Sequence, residues 1–253
     1  MDLYEELPYG ITMTSFGCPL ACSYCASRLL WPEYLRRPLL SVLREIYHQA
    51  SLGAQDFAFY DDALLLDKEK YFYPLCRELR SKFMDGIRFH TPNGLHVREI
   101  DEECAVTLKE TGFSTIRLSL ESIDPKIAGA GSGKVARDEY LKAVRHLLDA
   151  GYSSNDCETY ILLGLPGQDI VSVKDTVDFV HSAGGKPKLA EFSPIPGTPS
   201  FEAAAEKLPE LRSEPLLQNN SVYSSWISGN ISPEELQELK DLARAREWTG
   251  QTC

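Results

Sequence analysis

The sequence predicts an α/β fold: a partial (β/α)6, TIM-like barrel of parallel strands with a C-terminal helical extension. Six short apolar runs alternate with five segments in which apolar residues recur at helical period. Glycine follows the last apolar residue in most of these segments, as it does where helices end. Alternation at this spacing is typical of right-handed βαβ units in a parallel sheet, and six units are too few to close a full barrel.

The predicted strands are the six apolar runs. In a parallel barrel the active site forms at the carboxyl ends of the strands. We therefore expect the polar motifs that follow these strands to meet at one end of the barrel. The strands span residues 11–16, 56–60, 87–91, 115–120, 158–163 and 188–193.

The five predicted helices each place their apolar residues on one face, as helices packed on a sheet do. Asp67 is the predicted N-cap of the second helix, and Asp101 begins the third. The apolar positions are Leu39, Leu43, Ile46 and Ala50; Phe72, Leu75, Leu79 and Phe83; Ala105 and Leu108; Tyr140, Val144, Leu147 and Leu148; and Ile170, Val173, Val177 and Val180.

The pattern changes near residue 193, where prolines punctuate a loop. We expect a core barrel over residues 1–200 and a helical extension over 201–253 that packs on the barrel. A final helix has Ser232 as its N-cap and Glu235 as the partner in a capping box. Ile231 and Leu236 have the spacing of a hydrophobic staple.

Composition excludes several classes of protein. The chain has 253 residues, 43% of them hydrophobic, and it contains no apolar run long enough to span a membrane. A formal net charge of −11 argues against general binding to nucleic acid. Seven cysteines and an acidic N-terminus without an apolar signal core indicate a reducing, cytoplasmic location.

One short loop after the first predicted strand carries three cysteines in the spacing C-x3-C-x2-C: Cys18, Cys22 and Cys25. Three thiolates can hold three irons of a 4Fe-4S cluster and leave the fourth iron open, whereas electron-transfer clusters have four cysteines. An open iron can bind a substrate or a cofactor. Zinc also binds clustered cysteines, but it usually takes four protein ligands, and the nearest further cysteine is Cys76.

The cysteine loop resembles the signature of the radical S-adenosylmethionine (radical SAM) superfamily, in which an aromatic residue, here Tyr24, precedes the third cysteine. The resemblance covers about residues 10–200. It implies that S-adenosylmethionine chelates the open iron and that its reductive cleavage releases a 5′-deoxyadenosyl radical. It also implies a reductant such as flavodoxin or ferredoxin. The substrate, a small molecule or a peptide, and any catalytic residue beyond the cluster stay unidentified.

Tyr60-Asp61-Asp62 follows the second strand, where most members of the family bind the methionine amino group with a glycine-rich segment. A carboxylate accepts a charge-assisted hydrogen bond from an ammonium group, so the resemblance assigns Asp61 and Asp62 to the cofactor. The alternative is a pair of solvated loop residues. Asn93 matches an asparagine common in the family after the third strand, whereas His90 is expected to be a satisfied core residue.

The fourth and fifth strands supply further residues that the resemblance places at the cofactor. Glu121 resembles the polar residue that reaches the ribose hydroxyls, and it is a candidate ion-pair partner for Arg117 on the same strand face. Lys134 resembles a cationic residue that pairs with the cofactor carboxylate, with a simple surface lysine as the alternative. Tyr160 and Leu162 lie on the strand that backs the adenine and ends in the run G-L-P-G-Q.

The chain departs from the branch that its Y-D-D motif resembles, in which a cobalamin-binding domain often precedes the barrel. Only a short segment precedes the barrel here, so we expect cobalamin to be unused, supplied by a separate cobalamin-binding chain, or bound by a segment missing from this sequence. Two other classes stay open: a non-catalytic iron–sulfur electron carrier or scaffold, and a zinc-binding module. Cys76 and Cys104 lie on predicted helix faces and are expected to be buried.

Overall fold

The computed structural model of the protein describes residues 7–83, 86–128, 135–223 and 231–244. Strands and helices alternate along these ranges. The strands are β1 (Gly10–Thr12), β2 (Ser15–Phe16), β3 (Leu35–Arg36), β4 (Asp56–Phe59), β5 (Arg88–His90), β6 (Leu95–His96), β7 (Phe113–Glu121), β8 (Cys157–Leu163) and β9 (Lys186–Glu191). The α-helices are α1 (Ser27–Leu30), α2 (Leu39–Ser51), α3 (Phe72–Lys82), α4 (Glu102–Thr111), α5 (Pro125–Ala128), α6 (Arg137–Asp149), α7 (Ile170–Ser182), α8 (Pro199–Lys207), α9 (Asn220–Val222) and α10 (Pro233–Arg244).

Six parallel strands form the sheet in chain order, β1-β4-β5-β7-β8-β9, and the short β6 pairs with β7. In the described part of the chain β1 and β9 do not pair with each other, so the sheet is an open barrel. The five predicted helices are α2, α3, α4, α6 and α7, which connect successive strands. The predicted α/β fold with a partial parallel barrel is confirmed.

Two local predictions were wrong. The first predicted strand divides into β1, which pairs with β4, and β2, which pairs antiparallel with β3. The chain turns between them at Thr14, whose backbone N–H donates to the Asp61 carboxylate instead of a strand neighbour. Asp67 is not a helix cap: it lies in a turn with a positive φ of 53°, and α3 begins at Phe72.

The main hydrophobic core lies between the helices and one face of the sheet. Phe57, Phe59, Phe89 and Phe113 are at most 2% exposed, and their rings pack against one another. Side chains alternate along strands, so the residues between them point to the opposite, concave face of the sheet. Burying the aromatic face against helices leaves the concave face for polar side chains.

A second apolar cluster lies beyond the carboxyl ends of the last strands. It joins Leu162 of β8 and Phe192 to Phe201 of α8, and Tyr24 of the cysteine loop packs on it. This cluster links the N-terminal loop to a helix that follows the sixth strand of the sheet. The predicted domain boundary at residues 200 and 201 stays a prediction, and it falls inside α8.

The predicted capping box of the last helix is present. The Ser232 hydroxyl accepts from the Glu235 N–H, and the Glu235 carboxylate accepts from the Ser232 N–H. Ile231 and Leu236 are both buried, and α10 packs on β9 and α7. Within the described ranges, no helix combines the length and the apolar character that crossing a membrane requires.

Candidate functional site

A cavity of about 450 Å³ opens at the carboxyl ends of the strands. It unites residues that are far apart in sequence, because the strands of a parallel sheet all end at the same edge. Seven of the predicted site residues and two neighbours line it: Cys18, Cys22, Tyr24, Cys25, Asp62, Asn93, Glu121, Gly94 and Ser119.

The entry to the cysteine loop is held by Asp61, which is 3% exposed. Its carboxylate accepts from the Thr14 N–H at 2.9 Å, the Thr14 hydroxyl at 2.5 Å and the Ser15 hydroxyl at 2.7 Å. Arg36 donates to the Thr14 hydroxyl from the other side at 2.9 Å. Burial raises the pKa of Asp61, against the lowering effect of these hydrogen bonds. Asp61 therefore fixes the turn that leads into the loop.

The far end of the loop is anchored on α8. The Ser200 N–H donates to the Ser23 carbonyl at 3.0 Å, and the two serine hydroxyls lie 2.9 Å apart. Tyr24 packs its ring into the second apolar cluster. The loop is thus clamped at both ends by groups that only the folded barrel brings to it.

The three loop cysteines are half-buried thiols at the cavity wall. Burial raises the pKa of Cys18, and so do Cys22, Asp62 and Cys25 nearby. In contrast, Cys76, Cys104 and Cys157 are fully buried in the core, and burial raises the pKa of each to about 12. The expectation that Cys76 and Cys104 are buried is confirmed.

The donor set suits a cluster with an open position. Three thiols on one loop face a single cavity, and the same cavity has room and polar groups beside them. Within the described residues, no group of three or more His, Cys, Asp or Glu side chains is arranged to hold a metal ion. The assignment of the cysteine loop to a 4Fe-4S cluster therefore stays a prediction.

Glu121 has a strained backbone at the cavity wall. Its φ is +67°, and the Ser122 N–H donates to the Leu120 carbonyl at 2.8 Å, which closes a γ-turn on Glu121. A positive φ at a residue other than glycine costs about 1–3 kcal/mol and often marks a functional site. The turn rotates the Glu121 carboxylate into the cavity wall, where the Tyr24 hydroxyl donates to it. Burial nevertheless raises the pKa of Glu121 to about 7.

Arg117 does not pair with Glu121, so that prediction was wrong. Arg117 lies in register with Glu158 of β8 and donates to its carboxylate at 3.0 Å. Residues four apart on a strand share a face but lie about 13 Å apart along it, too far for an ion pair. The pairing register of β7 and β8 also shifts between Ser119 and Glu121.

Asp62 and Asn93 face the cavity with spare hydrogen-bonding capacity. Asp62 makes no hydrogen bond or ion pair within the described ranges. The Asn93 side chain donates to the carbonyls of Tyr60 and Asp61 at 3.0 and 3.3 Å, so it ties the loop after β5 to the loop after β4. Gly94 permits the close approach of this loop to Ser119, because a Cβ atom there would overlap the Ser119 hydroxyl.

Three of the predicted residues lie outside the cavity wall. Asp61 lies beneath the cysteine loop. The Tyr160 hydroxyl donates to the Pro92 carbonyl at 2.8 Å, and Leu162 belongs to the second apolar cluster. Lys134 lies outside the described residues. Their assignment to the cofactor stays a prediction.

Both ring nitrogens of His90 have partners, as expected, but its side chain is 28% exposed on the concave face and does not lie in the core. Its two ring nitrogens lie 3.0 Å from Asp56 and 3.1 Å from the Thr115 hydroxyl, away from the cavity. The sequence analysis missed His96 and Arg98, which line the cavity. Burial, together with Arg98, lowers the pKa of His96. Pairing of β6 with β7 brings this segment to the cavity. A strand of two residues is too short to be recognised from alternation of polar and apolar residues in the sequence.

Comparison with known proteins identifies the family. The model of the radical SAM superfamily matches residues 12–180, about two thirds of the chain. The chain belongs to the radical SAM superfamily. Superfamily membership identifies the chain as an enzyme, and it implies a 4Fe-4S cluster and S-adenosylmethionine as the cofactors to be tested.

The similar proteins named as methyltransferases are distant. An uncharacterized methyltransferase of Pyrococcus horikoshii is 25% identical over 81% of this chain and 44% of its own length. Cytidylyl-2-hydroxyethylphosphonate methyltransferase of Streptomyces wedmorensis is 24% identical over 75% of this chain and 36% of its own. The chain spans less than half the length of these curated relatives.

A solved structure shows the same fold. The radical S-adenosylmethionine methyltransferase TsrM from Kitasatospora setae, bound to tryptophan and a cofactor analogue, superposes with a TM-score of 0.67. It is 22% identical, and the match covers 80% of this chain and 40% of that chain. The likeness supports the open-barrel fold.

Proposed function

We propose that this chain is the barrel of a radical SAM enzyme that cleaves S-adenosylmethionine reductively, with Cys18, Cys22 and Cys25 holding a 4Fe-4S cluster. One observation carries the proposal: a single cavity unites the three half-buried thiols with Asp62, Asn93 and Glu121. When bound, the cluster supplies the electron that breaks a carbon–sulfur bond of the cofactor.

The side chains of the cavity bind and orient the cofactor. Asp62, which has no partner in the described ranges, accepts from the cofactor's ammonium group. Glu121 accepts from ribose hydroxyls, for which its γ-turn pre-orients the carboxylate. Asn93 fixes the loop that presents Asp62. The hydrogen bonds assigned to Asp62 and Glu121 are strengthened by the carboxylate charge, which an Asn or Gln side chain lacks.

The partners and location follow from the same chemistry. The cleavage consumes an electron, so a protein reductant such as flavodoxin or ferredoxin is required. Half-buried thiols that must stay reduced suit a reducing compartment, and we place the chain in the cytoplasm.

Iron content tests the cluster. Anaerobic reconstitution should give about four irons and four sulfides per chain. Serine at Cys18, Cys22 or Cys25 should abolish both the iron and the 5′-deoxyadenosine formed with S-adenosylmethionine and dithionite. The matched Cys76→Ser and Cys104→Ser variants should keep the iron, since those thiols are buried in the core.

The outcomes separate the rival functions. One zinc per chain without sulfide would identify a zinc-binding module. Iron without binding of S-adenosylmethionine would identify an electron carrier or scaffold. In the proposed enzyme, Asp62→Asn, Glu121→Gln or Lys134→Gln should each weaken cofactor binding by about 1–3 kcal/mol. Unchanged affinity in all three variants would show that the cofactor binds elsewhere.

Methyl transfer is a second candidate for the reaction that follows cleavage. It is favoured because proteins named as methyltransferases are among those similar to this chain. TsrM has also been solved with cobalamin bound. Spectral titration with hydroxocobalamin tests the point. We expect no stoichiometric binding by the chain alone, and tight binding would favour methyl transfer through cobalamin.

A further inference from the structure

The concave face of the sheet carries an unbalanced cluster of charges. Arg117 of β7, Lys186 and Lys188 of β9 converge on one carboxylate, Glu158 of β8. The distances to its oxygens are 3.0, 3.9 and 3.0 Å. We call Arg117, Lys186 and Lys188 the cation triad. Three cations against one anion leave an excess of positive charge, on a chain whose overall formal charge is −11.

Other carboxylates of the described residues, such as Asp56 and Glu139, pair with fewer cations. On the same face, Asp56 has one permanently charged partner, Arg88, and one titratable partner, His90. Among the ion pairs of the described residues, Glu158 alone faces three cations. The carboxylate of Glu158 carries one negative charge, so it neutralises only one of the three positive charges around it. Burial opposes ionisation of Glu158, but Lys188 and Arg117 outweigh it and lower its pKa, so the carboxylate is charged at neutral pH.

The triad is accessible and has donors to spare. Arg117, Lys188 and Lys186 are 24%, 37% and 46% exposed. Arg117 donates through Nε to Glu158 and through Nη1 to the Pro92 carbonyl. Its Nη2 has no hydrogen-bond acceptor in the described part of the chain. The Tyr160 ring lies 5.8 Å from the guanidinium and limits its movement.

The triad also lies directly below the candidate active site. Arg117 precedes Ser119 by two residues on the same face of β7, and Ser119 lines the cavity. Pro92, whose carbonyl binds both Arg117 and Tyr160, is followed by the cavity residue Asn93. A molecule that extends from the cavity along the concave face therefore reaches the triad.

We propose that the cation triad binds an anionic group, a carboxylate or a phosphate, and that this group belongs to the substrate. The second part rests on the proposed function, whereas the existence of the anion site does not. The substrate is thus an anion. Its charged group lies at the cation triad on the concave face, and its reacting carbon lies in the cavity at the carboxyl ends of the strands. The exposed side chains of Ile11 and Tyr60, which flank this face on β1 and after β4, suit an apolar body.

Charge variants of opposite sign test the site. Ligand-observed NMR at low salt would measure binding of phenyl phosphate and phenylacetate, with benzyl alcohol as the neutral control. The two anions distinguish phosphate from carboxylate as the preferred group. Lys188→Gln should weaken anion binding about fivefold, and Glu158→Gln should tighten it about fivefold, because one removes and the other adds net positive charge. Damage to the fold would weaken binding in both.

The matched control is Lys174→Gln, an exposed lysine paired with Glu238 on the helical layer, which should change nothing. Binding of neither anion above benzyl alcohol would overturn the proposal, as would equal affinities in all variants. Anion binding needs neither cluster nor S-adenosylmethionine, so its failure leaves the proposed function standing. Iron-free protein after reconstitution would in turn leave the anion site standing.

Discussion

The two faces of the sheet differ sharply although the same strands build both. On the helix side, Phe57, Phe89 and Phe113 pack into a core that excludes water. On the concave side, Asp56, Arg88 and His90 alternate with these phenylalanines and form ion pairs. Farther along β7, Arg117 of the cation triad and the cavity residue Ser119 lie on the same side. Alternation along a strand assigns one face to stability and the other to chemistry. In this protein stability and function can therefore be altered separately, one residue apart.

The cysteines repeat this contrast in a single residue type. Cys76, Cys104 and Cys157 lie at 0% exposure on the helix side, whereas Cys18, Cys22 and Cys25 line the cavity. Reactivity of a thiol depends on its thiolate fraction and on access. The two sets should therefore behave as different chemical groups.

The largest expected effect is on alkylation of the cluster-free chain by iodoacetamide. With a pKa of about 12, each core thiol is about one part in 10⁴ thiolate at pH 8. We expect the core cysteines to react at least about 10³ times more slowly than the loop cysteines, as followed by peptide mass spectrometry. Raising the pH toward 12 increases the thiolate fraction of the core set, but burial still limits access.

Denaturant provides the control, since unfolding should make both sets react alike. Modification of Cys76 or Cys104 as fast as the loop peptide in native protein would contradict the two-face description.

The second expected effect is a difference in stability between alanine variants of two adjacent aspartates. Asp61→Ala leaves the Thr14 N–H and the Thr14 and Ser15 hydroxyls without their buried acceptor. It should lower the free energy of unfolding by about 2–4 kcal/mol. Asp62→Ala removes a carboxylate without a described partner and should change stability by less than about 0.5 kcal/mol. Urea unfolding of the cluster-free chain measures both, and similar losses in the two variants would refute the distinction.

The smallest effect is a gain in stability. The folded-state pKa of Glu121, about 7, exceeds its unfolded value, so folding binds a proton between the two pKa values. Wild-type stability should therefore fall as pH rises from about 4.5 to 7. Glu121→Gln removes this penalty and should stabilise the cluster-free chain by about 1–3 kcal/mol at pH 8, with little gain at pH 4.5.

Guanidinium unfolding at both pH values checks the gain, and the exposed Glu238→Gln variant is the control. A pH-independent gain would show that the buried charge is not what limits stability at Glu121. If Glu121→Gln also loses affinity for the cofactor, then Glu121 of the wild-type chain serves cofactor binding at the expense of folding stability.

The sequence by itself determined the order of strands and helices, the parallel sheet and the end of the barrel where the cavity opens. These features depend on local periodicity and on rules of chain connection that hold for any βαβ protein. It also determined the capping box at Ser232, because Ser232 and Glu235 meet within one helical turn. The cysteine loop was recognisable for the same reason, since its three cysteines lie within eight residues.

Only the tertiary structure decided which distant groups meet. Arg117 pairs with Glu158 instead of Glu121 because strand register, and a shift within it, sets neighbours across the sheet. Asp61 holds the cysteine loop because the turn after β1 folds over the end of β4. His96 reaches the cavity through pairing of β6 with β7. Each of these contacts depends on the relative positions of strands, which are fixed by packing of the whole barrel and leave no local pattern in the chain.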